Sequence, residues 1–184
     1  MFARTERLML RPGWIEDAPA LASAIGDEAI LTKLAHPPSP YQVADAVAWL
    51  SRPRATLDTD FLIFSRTGGT PRLVGGIALA PDGENVELGY WIARPYWGLG
   101  IATEAGRAVI SMAKHSLKLT KLVSGHFIDN PASGNVLRKL GFRPTGRVIA
   151  RECRARGETV LSKLFALDLD AEADGERMPQ ALAA

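Results

Sequence analysis

Apolar positions in this chain change their period along its length, and the changes mark out the elements. Leu8-Met9-Leu10 is a short apolar run, preceded by Thr5-Glu6-Arg7 and stopped by Pro12-Gly13, which predicts a strand. Asp17 to Ile25 has helical composition with Leu21 and Ile25 four apart, and a second helical piece covers roughly Asp27 to Leu34 before His36-Pro37-Pro38 breaks it. Ser39-Pro40-Tyr41-Gln42 predicts another helix start: Ser39 suits the N-cap, Pro40 the first helical position, and Gln42 completes a capping-box spacing. Its apolar stripe is Val43, Val47 and Leu50.

The texture then becomes strand-like. Phe61 to Phe64, Leu73 to Leu79 and Val86 to Ile92 are apolar runs separated by Thr67-Gly68-Gly69-Thr70 and Pro81-Asp82-Gly83-Glu84, which predicts an antiparallel meander. Ile101 to Ser116 reads as a long helix burying Ile101, Ala105, Ala108, Val109 and Met112. Leu122 to Ile128 is a strand, and Asn130 to Leu140 a helix with Val136, Leu137 and Leu140 in register and Gly141 as its stop. Arg147 to Ala150 and Thr159 to Leu167 form a hairpin. The order predicts a mixed α/β (α+β) fold with a mostly antiparallel central sheet flanked by helices. The strands before and after the long helix should run parallel, because a helical crossover joins them. We expect one domain over residues 1–170 and a flexible tail over 171–184.

Composition narrows the function classes. A formal charge of +2 is too small to argue by itself for nucleic acid, and no direct nucleic-acid binding is expected. No apolar run approaches the roughly 20 residues of a membrane span. The mixed charges of Met1 to Arg7 are not those of a secretory signal. Cys153 is the only cysteine, so no internal disulfide forms, and a cytoplasmic location is expected. His36, His115 and His126 have no metal-ligand spacing, and no metal is expected.

The candidate chemistry lies between Arg94 and Ala105. A strand, a turn bearing Gly98 and Gly100, and a helix starting at Ile101 make the arrangement that aims backbone N–H groups at a phosphate. A bare loop is one alternative. A dinucleotide fingerprint is another, but Thr103 stands where its third glycine would be and an antiparallel meander precedes it.

Three passages resemble the GNAT superfamily of N-acetyltransferases, and most closely its branch of ribosomal-protein N-terminal acetyltransferases (the RimJ/RimL type). They are Thr5 to Pro12, then Tyr90-Trp91-Ile92 with Tyr96 to Ala105, and Asn130-Pro131-Ala132-Ser133 leading to Leu137 to Phe142. The resemblance implies acetyl-CoA as cosubstrate and transfer of its acetyl group to a primary amine by direct attack. It also implies a splayed parallel pair of strands, the fourth and fifth of the family core, here Val86–Ile92 and Leu122–Ile128. The pantetheine arm would lie in that gap, and the N–H groups of Trp91, Ile92 and Ala93 would polarise the thioester carbonyl. Trp97, Gly98, Leu99, Gly100, Ile101, Ala102 and Thr103 would hold the pyrophosphate, with Arg94, Arg138 and Lys139 as candidates for the nucleotide phosphates.

Two departures stand out: Pro95 replaces the Gln or Arg that often opens the loop, and Leu137 replaces the tyrosine that many relatives use as an acid. Ser133 is the substitute that the branch implies. Asn130 is an N-cap, a pantetheine contact, or both. Glu87 is either a general base or a solvated carboxylate. Tyr90, Trp91, Tyr96 and Trp97 read as core or pocket wall.

The acceptor could be a protein N-terminus, a polyamine, an amino acid or an aminoglycoside, bound beside the helices of residues 17–51 and the final hairpin. Arg143, Arg147, Arg151, Arg154 and Arg156 form a solvated ribbon or attract an acidic acceptor. A non-catalytic acyl-CoA sensor and a nucleic-acid-associated adaptor are the alternative functions. The protein is expected to be a monomer or homodimer.

Overall fold

The computed structural model describes residues 1–53 and 59–170. The expected tail over 171–184 lies outside the described residues. The strands are β1 (Ala3–Arg4), β2 (Leu8–Arg11), β3 (Thr59–Ser65), β4 (Arg72–Asp82), β5 (Asn85–Ile92), β6 (Lys121–Phe127), β7 (Arg143–Cys153) and β8 (Glu158–Asp168). The helices are α1 (Ala18–Ile25), α2 (Glu28–Leu31), α3 (Val43–Ser51), α4 (Ile101–His115) and α5 (Pro131–Lys139).

The eight strands of the described residues form one sheet in the order β1-β2-β3-β4-β5-β6-β8-β7. Every neighbouring pair is antiparallel except β5 and β6, which the α4 crossover makes parallel. The predicted meander is β3-β4-β5. Its first run, Phe61-Leu62-Ile63-Phe64, is apolar throughout because the sheet is covered on both faces. Phe61 and Ile63 join the core beneath α4 and α5, with Leu88, Val109, Leu122 and Phe165. Leu62 and Phe64 join a second core beneath α1 to α3, with Leu21, Ile25, Leu31 and Leu50. Period-two alternation thus divides one run between two cores.

Several boundaries differ from the sequence reading. Helix α3 starts at Val43, not at Pro40: Gln42 is the N-cap and its N–H donates to Asp45 Oδ2 at 2.8 Å. The same three-residue spacing recurs at Gln42–Asp45, and an ionised carboxylate is the stronger acceptor. The buried face also differs from the expected stripe. Ala46 and Leu50 are buried, whereas Val43 and Val47 remain 47% and 38% exposed. Ala46 lets α3 approach α1, whose buried residues include Ala18 and Ala22.

The second helical piece is only α2, a single turn capped by Asp27, whose side chain accepts from Ala29 N at 2.9 Å. Beyond it the chain tightens into three-residue turns, Lys33 N to Ile30 O and Leu34 N to Leu31 O. In α4, Gly106 is buried and Ala108 only partly so. β7 begins at Arg143, and its register shifts between Pro144 and Val148. Simple alternation does not mark this stretch, because a bulge interrupts it. The short β1, paired with β2, was not predicted at all.

Candidate active site

The site begins where the sheet opens. β5 and β6 share one paired position, Glu87 with Val123. Beside it the Ser124 hydroxyl donates to the Leu88 carbonyl at 2.7 Å. Past this point β5 stays paired with β4 through Ile92, but no described pairing joins it to β6. A wedge opens between Gly89–Ile92 and Gly125–Phe127, with edge groups of β5 facing it.

Three residues were expected to offer their N–H groups here. The Ala93 N–H is already bound to the Val74 carbonyl at 2.9 Å, and strand alternation turns the Trp91 N–H the same way. Of the three, Ile92 is the one whose N–H faces the opening. Its carbonyl accepts from Trp97 Nε1 at 2.6 Å, which seats the Trp97 indole at the mouth. The Trp91 indole lies over Gly76, where a Cβ would come within 2.5 Å of Nε1, so only glycine fits beneath it.

At the wide end of the wedge is the glycine turn. Gly98 and Gly100 both have φ of +76°. Gly100 is the N-cap of α4 and has no side chain to satisfy the first turn, so the N–H groups of Ile101, Ala102 and Thr103 have no intrahelical acceptor. A Cβ at Gly98 would meet nothing within 4 Å. Open space, uncapped donors and the positive end of a 15-residue helix fit the diphosphate of acetyl-CoA.

The turn is braced from behind by residues that sequence reasoning missed. Arg7 donates to the Leu99 carbonyl at 3.0 Å and, through Nε, to Glu104 Oε2 at 2.7 Å. The Arg7 main-chain N–H and the Thr5 hydroxyl both donate to Glu104 Oε1. Burial pushes the Glu104 carboxyl upward, but these bonds and the Arg7 charge outweigh it and hold its pKa below the usual range. The sequence did contain a signal: an acidic residue in the first turn of the cofactor helix.

The three candidate phosphate cations lie in different settings. Lys139 lines a cleft of about 540 Å³ with Arg7, Arg107, Gly100 and Thr103, beside the glycine turn. Arg107 had not been singled out. Arg94 is instead directed at Asp27, 3.4 Å away. Arg138 bonds Asn135 Oδ1 at 3.0 Å and lies over the Phe165 ring.

On the other wall, Asn130 is the N-cap of α5, its Oδ1 accepting from Ser133 N at 3.4 Å. Ser133 sits in the first turn, and its hydroxyl is 2.8 Å from that of Tyr90 on β5. Burial pushes the Tyr90 phenol up to about 12, against a smaller opposite effect of the Ser133 hydrogen bond. Leu137 is fully buried in the core. Tyr90, read as core or pocket wall, thus places a phenol beside Ser133, from the strand rather than from α5.

On the opposite face of β5, Glu87 accepts from Arg151 at 2.7 Å. The tip of the β7–β8 hairpin is fastened over this side. Arg154 N donates to the Ala35 carbonyl at 2.9 Å and Arg156 Nε to the Thr32 carbonyl at 2.7 Å. Asp129 pairs with both Arg156 and Lys33, and its carboxyl is held below the usual range by these partners despite burial. Cys153 is buried with its thiol directed at the Leu34 carbonyl. Among the described residues no group of three or more His, Cys, Asp or Glu is arranged to hold a metal ion.

Comparison with known proteins fits this geometry. A family profile described as "Acetyltransferase (GNAT) domain" matches residues 7–143. The Bacillus subtilis protein named "Uncharacterized N-acetyltransferase YoaA" is 26% identical over 154 residues, covering 77% of this chain and 82% of that one. The ribosomal-protein-serine acetyltransferase of Escherichia coli is 32% identical over 85 residues, 45% of either chain. Among solved structures, RimL, a ribosomal L7/L12 alpha-N-protein acetyltransferase in complex with coenzyme A, superimposes with a TM-score of 0.77. That superposition covers 94% of this chain and 100% of the other at 19% identity, a likeness of fold.

Proposed function

Because the chain belongs to the GNAT acetyltransferase family and is thereby an acetyl-CoA-dependent N-acetyltransferase, we propose that its acceptor is the α-amino group of a protein N-terminus. Acetyl-CoA supplies an activated thioester. The diphosphate rests on the N–H groups of Gly98 to Thr103, with Lys139 and Arg107 beside it. The Ile92 N–H polarises the carbonyl at the wedge, and Ser133 faces the sulfur. The amine arrives from the face that carries Glu87, Trp91 and the hairpin tip. Holding two reactants in line lowers the barrier by roughly 7–11 kcal/mol in favourable cases.

One observation carries the choice of acceptor: Glu87, at the expected position of a base, is ion-paired with Arg151, and an ion-paired carboxylate is a weaker base than a free one. An α-amine needs little help. With a pKa of about 7.8 it is neutralised at pH 7 for roughly 1 kcal/mol, whereas a lysine amine costs roughly 4.6. The names of the E. coli relative and of RimL point to the same class of acceptor.

The test is a thiol-release assay with acetyl-CoA against peptides beginning with serine, alanine or methionine, a polyamine, free amino acids and an aminoglycoside. A kcat/KM at least about tenfold higher for a peptide α-amine than for any other acceptor is expected. Preference for the polyamine or the aminoglycoside would overturn the reading.

A further inference from the structure

We propose that Tyr90 is a positioning residue for Ser133, the two hydroxyls forming one donor chain that ends on the sulfur released from the thioester. The inference rests on the placement of Ser133 beside that sulfur. Its own basis is the bond that crosses the wedge. Tyr90 stands on β5 and Ser133 on the first turn of α5, 43 residues later. The Tyr90 oxygen is 2.8 Å from Ser133 Oγ and 3.0 Å from the Ser133 carbonyl oxygen.

Two protons serve these three oxygens, and two arrangements satisfy them. In one, Tyr90 donates to the Ser133 carbonyl and Ser133 donates to the Tyr90 oxygen, so nothing points into the wedge. In the other, Tyr90 donates to Ser133 Oγ and the Ser133 proton swings outward. No heavy atom moves between them. Negative charge gathering on sulfur favours the second, and each donor then strengthens the next.

The chain stops at hydrogen bonding. A buried phenol near 12 is a far weaker acid than a thiol near 8.5, so a full proton transfer to the sulfur would run about three-thousandfold uphill. In the reaction the C–N bond forms and the C–S bond breaks. Its electron pair stays on sulfur as thiolate, and the proton lost by nitrogen leaves to water. Ser133 holds the thiolate; Tyr90 holds Ser133. A second titratable group against this turn is His126 on β6. Its Nδ1 faces the Phe127 carbonyl at 2.8 Å, and its Nε2 abuts Gly134.

The test needs no acceptor. Coenzyme A is bound to the protein and its thiol is titrated by ultraviolet thiolate absorbance, with desulfo-coenzyme A affinity as the control for an intact site. The wild-type protein should bind the thiolate about tenfold more tightly than the thiol, lowering the bound pKa by about one unit. Tyr90→Phe should remove about half of that shift and Ser133→Ala all of it. The double variant should match Ser133→Ala, and desulfo-coenzyme A affinity should stay within about twofold throughout. A bound thiol in Tyr90→Phe that titrates as in wild type overturns the role of Tyr90, as does an additive effect in the double variant. A bound thiol unmoved by Ser133→Ala overturns instead the placement of Ser133 on which the inference rests.

Discussion

Replacing Glu104 with glutamine tests whether the glycine turn is held in place by the strand behind it. Glu104 lies in the first turn of α4, its side chain 19% exposed, and accepts four donors: the Thr5 hydroxyl, the Arg7 main chain, and Arg7 Nε and Nη2. Glutamine keeps the shape and one acceptor oxygen but turns an NH₂ group toward a guanidinium that can only donate. Hydrogen bonds to charged partners contribute about 1.5–3 kcal/mol each where shielded, and a first-turn carboxylate adds about 0.3–1 kcal/mol against the helix dipole. Arg7 is 42% exposed, so solvent screens its share, and we expect a total loss of about 2–3 kcal/mol. For a chain of this size that lowers Tm by about 4–12 °C. The Leu99 carbonyl also loses a firmly placed partner, and acetyl-CoA affinity should fall about three- to tenfold.

The pH dependence gives the sharper criterion. The folded pKa of Glu104 is depressed below its ordinary value of 4.5. Its stabilisation is therefore present above that value and disappears as pH falls through the folded pKa, where the protonated acid resembles glutamine. Thermal unfolding of the two proteins at neutral pH and at successive values below 4.5 should show a gap in Tm that closes in acid. Equal Tm at neutral pH, or a gap that stays constant down to full protonation, would refute the bracing.

Three further outcomes follow from the geometry. Gly98→Val forces a β-branched residue to a φ of +76° and should weaken acetyl-CoA binding more than tenfold; calorimetry showing unchanged affinity in a folded variant would remove the turn from the site. Glu87→Gln should change kcat/KM for a peptide α-amine by less than about threefold, because so little free energy is needed to neutralise it; a hundredfold loss would make Glu87 the base. Gly134→Ala sets a Cβ 2.5 Å from His126 Nε2, and His126 is buried against Phe165, so urea denaturation should report a loss of about 1–3 kcal/mol; equal or higher stability would mean the ring yields freely.

What was legible in the sequence was what short-range rules govern. Each strand of the meander announced itself by its own residues, and the glycine turn by Gly98 and Gly100. The parallel pair followed from one crossover. Helix α3 shows where such rules lose resolution. Two overlapping capping signals, Ser39–Gln42 and Gln42–Asp45, compete within seven residues, and the face that packs inward is a separate choice, of Ala46 over Val43 and Val47. That choice depends on how closely α1 can approach, which no local pattern reports.

The polar connections of the site fail to show for a related reason. Glu104 finds Arg7 across 97 residues, Glu87 finds Arg151 across 64, and Tyr90 finds Ser133 across 43. Each member viewed alone is an ordinary surface charge or pocket wall, and nothing in its neighbours' spacing names its partner. The five arginines from Arg143 to Arg156 illustrate the consequence. As a string they suggest a uniform basic ribbon able to draw in an acidic molecule. Folded, Arg151 is held by Glu87 and Arg156 by Asp129 and the Thr32 carbonyl, while Arg154 fastens its main chain to Ala35. The ribbon thus becomes a clasp over the Glu87 face of β5, with the guanidinium groups of Arg151 and Arg156 held in ion pairs. The charge that the string advertises is therefore partly engaged inside the fold, by partners that lie far away in sequence.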